Sequence, residues 1–156
     1  MRFQSSPRQS QSGVSLIEVL VSVLIMGVGL LGIAAMQAAA LRNNEGAYGR
    51  SQAVIQSYAI TDAMRANRDA AMAGLYNKAM ECNVPAAGGM VENDWHAWMT
   101  AMKASLGNAA TTCGQIACRI DTCTVTVQWD DSRGSYATNA DFTNAETRTF
   151  VTVTRL

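Results

Sequence analysis

Residues 13–32 read GVSLIEVLVSVLIMGVGLLG, and Glu18 is the only charged side chain among them. The chain then carries no charge from residue 19 to residue 41, after which Arg42 ends the run. As an α-helix rising about 1.5 Å per residue, this run would be about 34 Å long, and a bilayer core is roughly 30 Å thick. The stretch therefore predicts a membrane-spanning helix over residues 14–41.

The composition of the chain fits a membrane-attached protein that carries one modest domain. Of its 156 residues, 49% are hydrophobic and 15% are charged, whereas about a quarter are charged in typical soluble domains. The formal net charge is zero and no basic cluster has aromatic residues interleaved, which argues against nucleic-acid binding. Arg2 and Arg8 are the only charges in residues 1–13. This basic flank favours a cytoplasmic N-terminus, with the rest of the chain in the periplasm of a bacterium.

The apolar run ends in GVGLLG, which matches the glycine pattern of a dinucleotide-binding loop at Gly27, Gly29 and Gly32. Such a loop needs a short strand before it and a second strand about twenty residues after it. Here the preceding apolar run is too long for a strand, and the residues that follow are helical in pattern. We therefore predict no nucleotide cofactor. In a membrane helix these glycines allow close approach of another helix.

All the cysteines lie in the C-terminal half of the chain, at Cys82, Cys113, Cys118 and Cys123. An even number of cysteines in an exported domain predicts disulfides, and four cysteines allow three connectivities. We favour Cys82–Cys113 and Cys118–Cys123, because the second pair would close a hairpin. A zinc site is not favoured, since the tight C-x2-C spacing is missing and the single histidine, His96, lies elsewhere.

Residues 14–72 predict one long helix, because Pro7 and Pro85 are the only prolines and both lie outside it. Past the apolar run, one helical face is expected to pack on the rest of the protein. Its members are Tyr48, Ile55, Ala59, Ala63, Ala66 and Ala70. The opposite, solvated side carries Arg50, Asp62, Arg65, Arg68 and Asp69. Gly74 is expected to terminate the helix.

A short helix is predicted over residues 94–106, after the turn sequence VPAAGG at residues 84–89. Asn93 or Asp94 would cap it, and Gly107 would end it. Its apolar residues recur at helical spacing and are Trp95, Trp98, Met99, Met102 and Leu106. This spacing indicates a helix that fills a small core, rather than a ligand cage of two tryptophans beside His96.

The C-terminal region changes to a period of two, which is typical of strands. Residues 122–131 (TCTVTVQWDD) place Cys123, Val125, Val127 and Trp129 on one face. Residues 147–156 form a second β-branched strand, and residues 115–120 are a candidate third. A long helix followed by an antiparallel sheet predicts an α+β fold.

The segment GVSLIEVL resembles the processing motif of type IV prepilins: a short basic leader, a glycine, the cleavage site, and a glutamate at the fifth position after it. The resemblance implies that prepilin peptidase cuts between Gly13 and Val14, and that the new N-terminus of Val14 is methylated. Glu18 would then be the buried glutamate. A free amine and a carboxylate, each costly in lipid, can neutralise one another between adjacent subunits.

Further segments resemble the PilV type of minor pilin, the type IV pilus modification proteins: LRNNEGAYGRSQA, MRANRDAA, GLYN, DWHAW and TVTVQWDDSRG. The resemblance implies a leader over residues 1–13, a transmembrane half-helix over residues 14–41 and a periplasmic half-helix over residues 42–75. A globular head would follow over residues 76–156. It also implies a role in initiating pilus assembly, with other minor and major pilins, the inner-membrane assembly platform and the lipid bilayer as partners.

Three alternatives stay open. A pseudopilin of a type II secretion system would share the leader, and Asp130, Asp131 and Asp141 could then hold calcium, although turn aspartates are usually only solvated. A secretory protein could be cleaved after residues 38–40 (AAA), but the apolar core is long and contains Glu18 near its start. An anchored enzyme would need a nucleophile with a base or a metal set; with one histidine, we expect no enzyme, no metal, no cofactor and no small-molecule substrate.

Overall fold

The computed structural model describes residues 13–132, 134 and 147–156. The chain divides into two compact units, Met1–Ala39 and Ala40–Leu156. We call the second the C-terminal unit. The leader residues 1–12 and Asp141, which were singled out in the sequence, lie outside the described residues.

The fold is α+β, as predicted: a long N-terminal helix is followed by an antiparallel sheet. In chain order the elements are α1 (Leu16–Ala66), α2 (Arg68–Met72), β1 (Lys78–Glu81), α3 (Met90–Leu106), β2 (Cys113–Arg119), β3 (Thr122–Asp130) and β4 (Thr147–Arg155). The four strands lie in the order β1-β2-β3-β4, and each pairs antiparallel with the next. This is a pilin-like layout.

The alternating pattern of β3 decides which face of the sheet is covered. Cys123, Val125, Val127 and Trp129 are buried, as predicted, while the threonines between them are half-buried. The candidate strand at residues 115–120 exists as β2 but begins two residues earlier, at Cys113. The sequence analysis missed β1, which is too short to show an alternating pattern and pairs irregularly with β2.

The apolar face of α3 fills the core, as predicted, with Trp95, Trp98, Met99, Met102 and Leu106 all buried. The two indoles meet edge to face, with ring centroids 5.1 Å apart. Gly107, at a φ of 102°, ends the helix by donating its N–H to the carbonyl of Lys103. A ligand cage between the tryptophans has no room, because both rings are packed against the core.

The predicted start of this helix at residue 94 is wrong, because α3 begins at Met90 with Gly89 as its N-cap. The carbonyl of Gly89 accepts the N–H of Asn93. The Asn93 side chain folds back to bond the N–H and the carbonyl of Gly88, so that it braces the preceding loop. Asp94 bonds Tyr76. Both proposed caps are therefore engaged elsewhere, which the sequence pattern alone does not reveal.

The predicted single helix over residues 14–72 is also interrupted, because α1 ends at Ala66 and α2 begins at Arg68. Asn67 leaves helical geometry with a φ of −119° and a ψ of 51°. The side-chain amide of Asn67 donates a hydrogen bond to the hydroxyl of Tyr76, at 3.3 Å. The chain turns away from α2 at Gly74, where φ is 77°.

The predicted packing face is partly correct, because the half-buried Ala63 and Ala70 pack against the core. The buried face of α1 is nevertheless rotated from the predicted one by roughly one residue, or about 100°. Tyr48, Ile55 and Ala59 are exposed. The buried residues of α1 are Ala53, Gln56, Ser57, Ile60, Thr61 and Met64. Half of these are polar, and hydrogen bonds satisfy them: Thr61 donates to the Ser57 carbonyl, and Ser57 to the Val54 carbonyl. Apolar periodicity does not identify such a face, because half of its buried residues are polar. The charged side of α1, in contrast, is solvated as predicted.

Candidate functional site

The N-terminal segment carries the predicted processing and assembly residues. Gly13 and Val14 are exposed and precede the helix, so the peptide bond between them is in non-helical chain. The Ser15 carbonyl then accepts the N–H groups of Glu18, at 3.0 Å, and Val19, at 3.3 Å. The structure thus places all three candidate residues, Gly13, Val14 and Glu18, within the first turn of α1 or directly before it.

Ser15 and Glu18 match the S-x-x-E pattern of a capping box, which the sequence analysis missed although the letters are present. Glu18 lies in the first turn, where a carboxylate interacts favourably with the positive end of the helix dipole. One turn later, Ser22 Oγ donates to the carbonyl of Glu18 at 2.7 Å. No side chain pairs with the Glu18 carboxylate within the described residues.

The first part of α1 is apolar on every side, and residues 13–38 are all exposed. It is long and apolar enough to cross a membrane. A helix that is apolar all round is stable in water only if something covers it, and lipid or other apolar helices are the usual covers. The motif glycines Gly27, Gly29 and Gly32 lie inside this helix, so they form no phosphate-binding loop after a strand. A β-carbon at any of these glycines would meet no atom of the described residues within 4 Å.

Two disulfides, Cys82–Cys113 and Cys118–Cys123, cross-link the C-terminal unit. This is the pairing that the sequence analysis favoured. The first joins the residue after β1 to the first residue of β2. The second links directly opposite residues of β2 and β3, next to the hairpin turn. Each therefore locks the register of a neighbouring strand pair.

A polar network joins the break between α1 and α2 to α3. The hydroxyl of the buried Tyr76 donates to Asp94 and accepts from Asn67, and Trp95 Nε1 donates to the Tyr76 carbonyl at 3.1 Å. Burial, reinforced by the hydrogen bond to Asp94, raises the pKa of Tyr76 to about 12. The adjacent Asn77 side chain bonds both backbone groups of Cys118, at 2.6 Å and 3.2 Å. The network is structural, because every member bonds another part of the fold.

The aspartates considered for calcium have other partners. Asp131 forms an ion pair with Arg148 at 3.2 Å, and Asp130 Oδ1 accepts the N–H of Ser132 as in an ordinary turn. Across the described residues, no three acidic, histidine or cysteine side chains come together as a metal site. His96 Nδ1 lies 2.8 Å from the Pro85 carbonyl, so this ring nitrogen is taken up by the backbone.

Comparisons with known proteins find a match for the N-terminal motif and for no other part of the chain. Residues 8–34 match the family described as the prokaryotic N-terminal methylation motif, a prepilin-type leader. No curated protein and no solved structure matches the chain. The motif, the apolar helix that carries it and the sheet that follows support a protein of the type IV pilin and pseudopilin kind, anchored in a membrane by α1.

Proposed function

We propose that this protein is a minor pilin of the type IV pilus, which takes part in initiating pilus assembly and is incorporated into the filament. The observation that carries the proposal is the position of Glu18. It is the single charge in residues 13–41, it lies inside the matched N-terminal methylation motif, and the apolar residues 13–38 around it are all exposed.

In this proposal, prepilin peptidase cuts between Gly13 and Val14, and Val14 becomes a methylated N-terminal amine. A carboxylate inside a bilayer costs several kcal/mol unless it is paired, so Glu18 needs a cation there. The helix itself offers none, since the next basic residue is Arg42. The Val14 amine of a neighbouring subunit supplies the charge, and the pairing sets the axial register between subunits.

The partners proposed are prepilin peptidase, other minor and major pilins, the inner-membrane assembly platform and the lipid bilayer. Before assembly the chain would cross the inner membrane once, with the C-terminal unit in the periplasm. We propose no enzymatic activity, no cofactor, no nucleic acid and no small-molecule substrate.

A pseudopilin of a type II secretion system is the second candidate, because the matched motif is common to both assemblies. The two differ in what a deletion strain loses. Loss of surface pili supports the pilin. Loss of exoprotein secretion with normal piliation supports the pseudopilin.

The first test is the intact mass and N-terminal sequence of the protein from its native membrane. We expect a chain that begins at Val14 and carries one added methyl group. A start at Leu41 would mean a soluble secreted protein, and the proposed role of Glu18 would then be wrong.

The second test separates charge pairing from helix capping at Glu18. Glutamine can replace glutamate in a capping box but cannot neutralise an amine. We therefore expect Glu18→Gln and Glu18→Ala to reduce incorporation into filaments equally, while the C-terminal unit stays folded. Glu45→Gln, an exposed position on α1 beyond the apolar run, is the matched control. Normal incorporation of Glu18→Gln would contradict the charge-pairing mechanism.

A further inference from the structure

The turn between β2 and β3 holds a strained and exposed apolar residue. Arg119 pairs with Thr122 at the base of the turn, so that Ile120 and Asp121 form its tip. Ile120 has a φ of 55°, in the left-handed region that is sterically unfavourable for a β-branched residue. Its side chain is 86% exposed. Folding gains nothing from isoleucine here, because both the backbone conformation and the exposure oppose it.

The fold nevertheless holds this turn firmly. The Cys118–Cys123 disulfide crosses the hairpin just behind the tip. The Asp121 carboxylate pairs with Arg155 at 3.0 Å, and the Asp121 carbonyl accepts the N–H of Leu156 at 3.1 Å. Ile120 therefore lies on a rigid turn. The turn loses little conformational entropy when another molecule binds to it.

Positive charge surrounds the exposed isoleucine. Arg119, Thr122 and Arg155 form one row across β2, β3 and β4, so both arginines lie on the same face of the sheet. Arg119 is exposed, and the side chain of Arg155 is 82% exposed. Asp121 is the only carboxylate of the turn and faces Arg155. The side chains at the tip thus combine an exposed apolar residue with two exposed arginines, of which Arg155 is paired with Asp121.

We propose that Arg119, Ile120 and Arg155 form a docking surface for another protein, whose matching site is an apolar pocket bordered by carboxylates. Residues held in an unfavourable backbone conformation cluster at sites of function. An apolar anchor beside arginine is a common centre of binding energy in protein interfaces. A lipid surface fits less well, because one isoleucine buries too little apolar area for stable membrane binding. The proposal applies equally to a pilus and to a secretion pseudopilus.

The test places a photoreactive benzophenone amino acid at position 120 of the full-length protein in its native cells. Position 90 is the matched control, because Met90 is also an exposed apolar residue, at 66%, but lies on α3. We expect position 120 to cross-link one protein that position 90 does not, at a pocket lined by apolar and acidic residues. Cross-links to lipid only, identical products from both positions, or no protein cross-link at position 120 would overturn the proposal.

A substitution then separates binding from stability. Asparagine adopts left-handed geometry more readily than isoleucine, so Ile120→Asn should raise the melting temperature of the full-length protein. Its affinity for the cross-linked protein should nevertheless fall at least tenfold, whereas Ile120→Val should bind within about threefold of the parent. Arg119→Gln should weaken binding and flatten its dependence on salt. Unchanged affinity of Ile120→Asn would overturn the proposal.

Discussion

The indole of Trp129 lies directly against the backbone of Gly49, so closely that a β-carbon at position 49 would be 2.9 Å from Trp129 Nε1. Trp129 is 4% exposed, and its Nε1 has no hydrogen-bond partner within the described part of the chain. Gly49 therefore allows α1 to lie close to β3 and seats the indole between them. The glycine is required here for its small size.

The variant Gly49→Ala tests this contact. Alanine normally stabilises a helix interior by about 0.5–1 kcal/mol relative to glycine. Here the clash with a packed indole should dominate and lower the free energy of unfolding by about 1–3 kcal/mol. Gly46→Ala is the matched control, because its β-carbon would meet only ordinary contacts at 3.6 Å. Urea unfolding of the detergent-solubilised protein, followed by tryptophan fluorescence, measures both, and equal effects at the two positions would contradict the contact.

Tyr76 should make the C-terminal unit sensitive to alkaline pH. Its pKa is raised from 10.0 to about 12, so the unfolded chain loses the phenolic proton first as the pH rises. The contribution of Tyr76 to stability is fully present below pH 10 and is lost as the pH approaches 12, by about 2–3 kcal/mol.

Tyr76→Phe should remove this part of the pH dependence. At neutral pH it should also cost about 1–3 kcal/mol, because Asp94 loses its hydrogen-bond donor. Tyr58→Phe, at an exposed position, is the control. The measurement is the free energy of unfolding between pH 8 and pH 12 for the three proteins. If the free energy of unfolding depended on pH in the same way for the parent and for Tyr76→Phe, the raised pKa of Tyr76 would be contradicted.

The two disulfides should contribute unequally to stability. Cys82–Cys113 spans 31 residues and Cys118–Cys123 spans 5. By loop-closure entropy, replacing the first pair with alanine should cost about 3–4 kcal/mol and the second about 2 kcal/mol. Thermal unfolding of the two double-alanine variants shows which disulfide contributes more to stability. Peptide mapping under non-reducing conditions checks the connectivity itself, and any peptide that links Cys82 to Cys118 or Cys123 would contradict it.

Replacing Asn77 should destabilise the protein more than replacing Asn83, because the Asn77 side chain bonds the backbone of a strand. Its side-chain amide accepts from the Cys118 N–H and donates to the Cys118 carbonyl, in the way that a paired strand would. Asn77→Ala leaves both backbone groups without these partners and should cost about 1–3 kcal/mol. Asn83→Ala is the control, since within the described residues Asn83 bonds only through its backbone N–H, which donates to the Glu81 carboxylate. Amide exchange at Cys118 should quicken in Asn77→Ala alone; unchanged exchange there would argue against the pairing.

Hydrophobic periodicity along the sequence predicted most of the architecture, because β3 and α3 each bury a face made of apolar residues. The alternation in β3 identified Cys123, Val125 and Val127 as core residues, and the helical spacing of α3 did the same for Trp95 and Trp98. The absence of charge from residue 19 to residue 41 predicted the membrane-compatible part of α1. In the candidate site, the resemblance of GVSLIEVL to prepilin leaders indicated the N-terminal methylation motif, which the family match over residues 8–34 supports.

By itself, then, the sequence determined the fold class and the apolar helix, because these depend on periodicity and charge along the chain, and its resemblance to prepilin leaders identified the N-terminal methylation motif. The tertiary structure decided which side of α1 faces the sheet, since polar Ser57 and Thr61 can be buried only where helix carbonyls and facing strands supply hydrogen bonds. It also decided that Asn67 breaks the helix to reach Tyr76 and that Ile120 is held outward in an unfavourable conformation. Each of these features costs free energy locally and is maintained by contacts with residues distant in sequence, which no local pattern records.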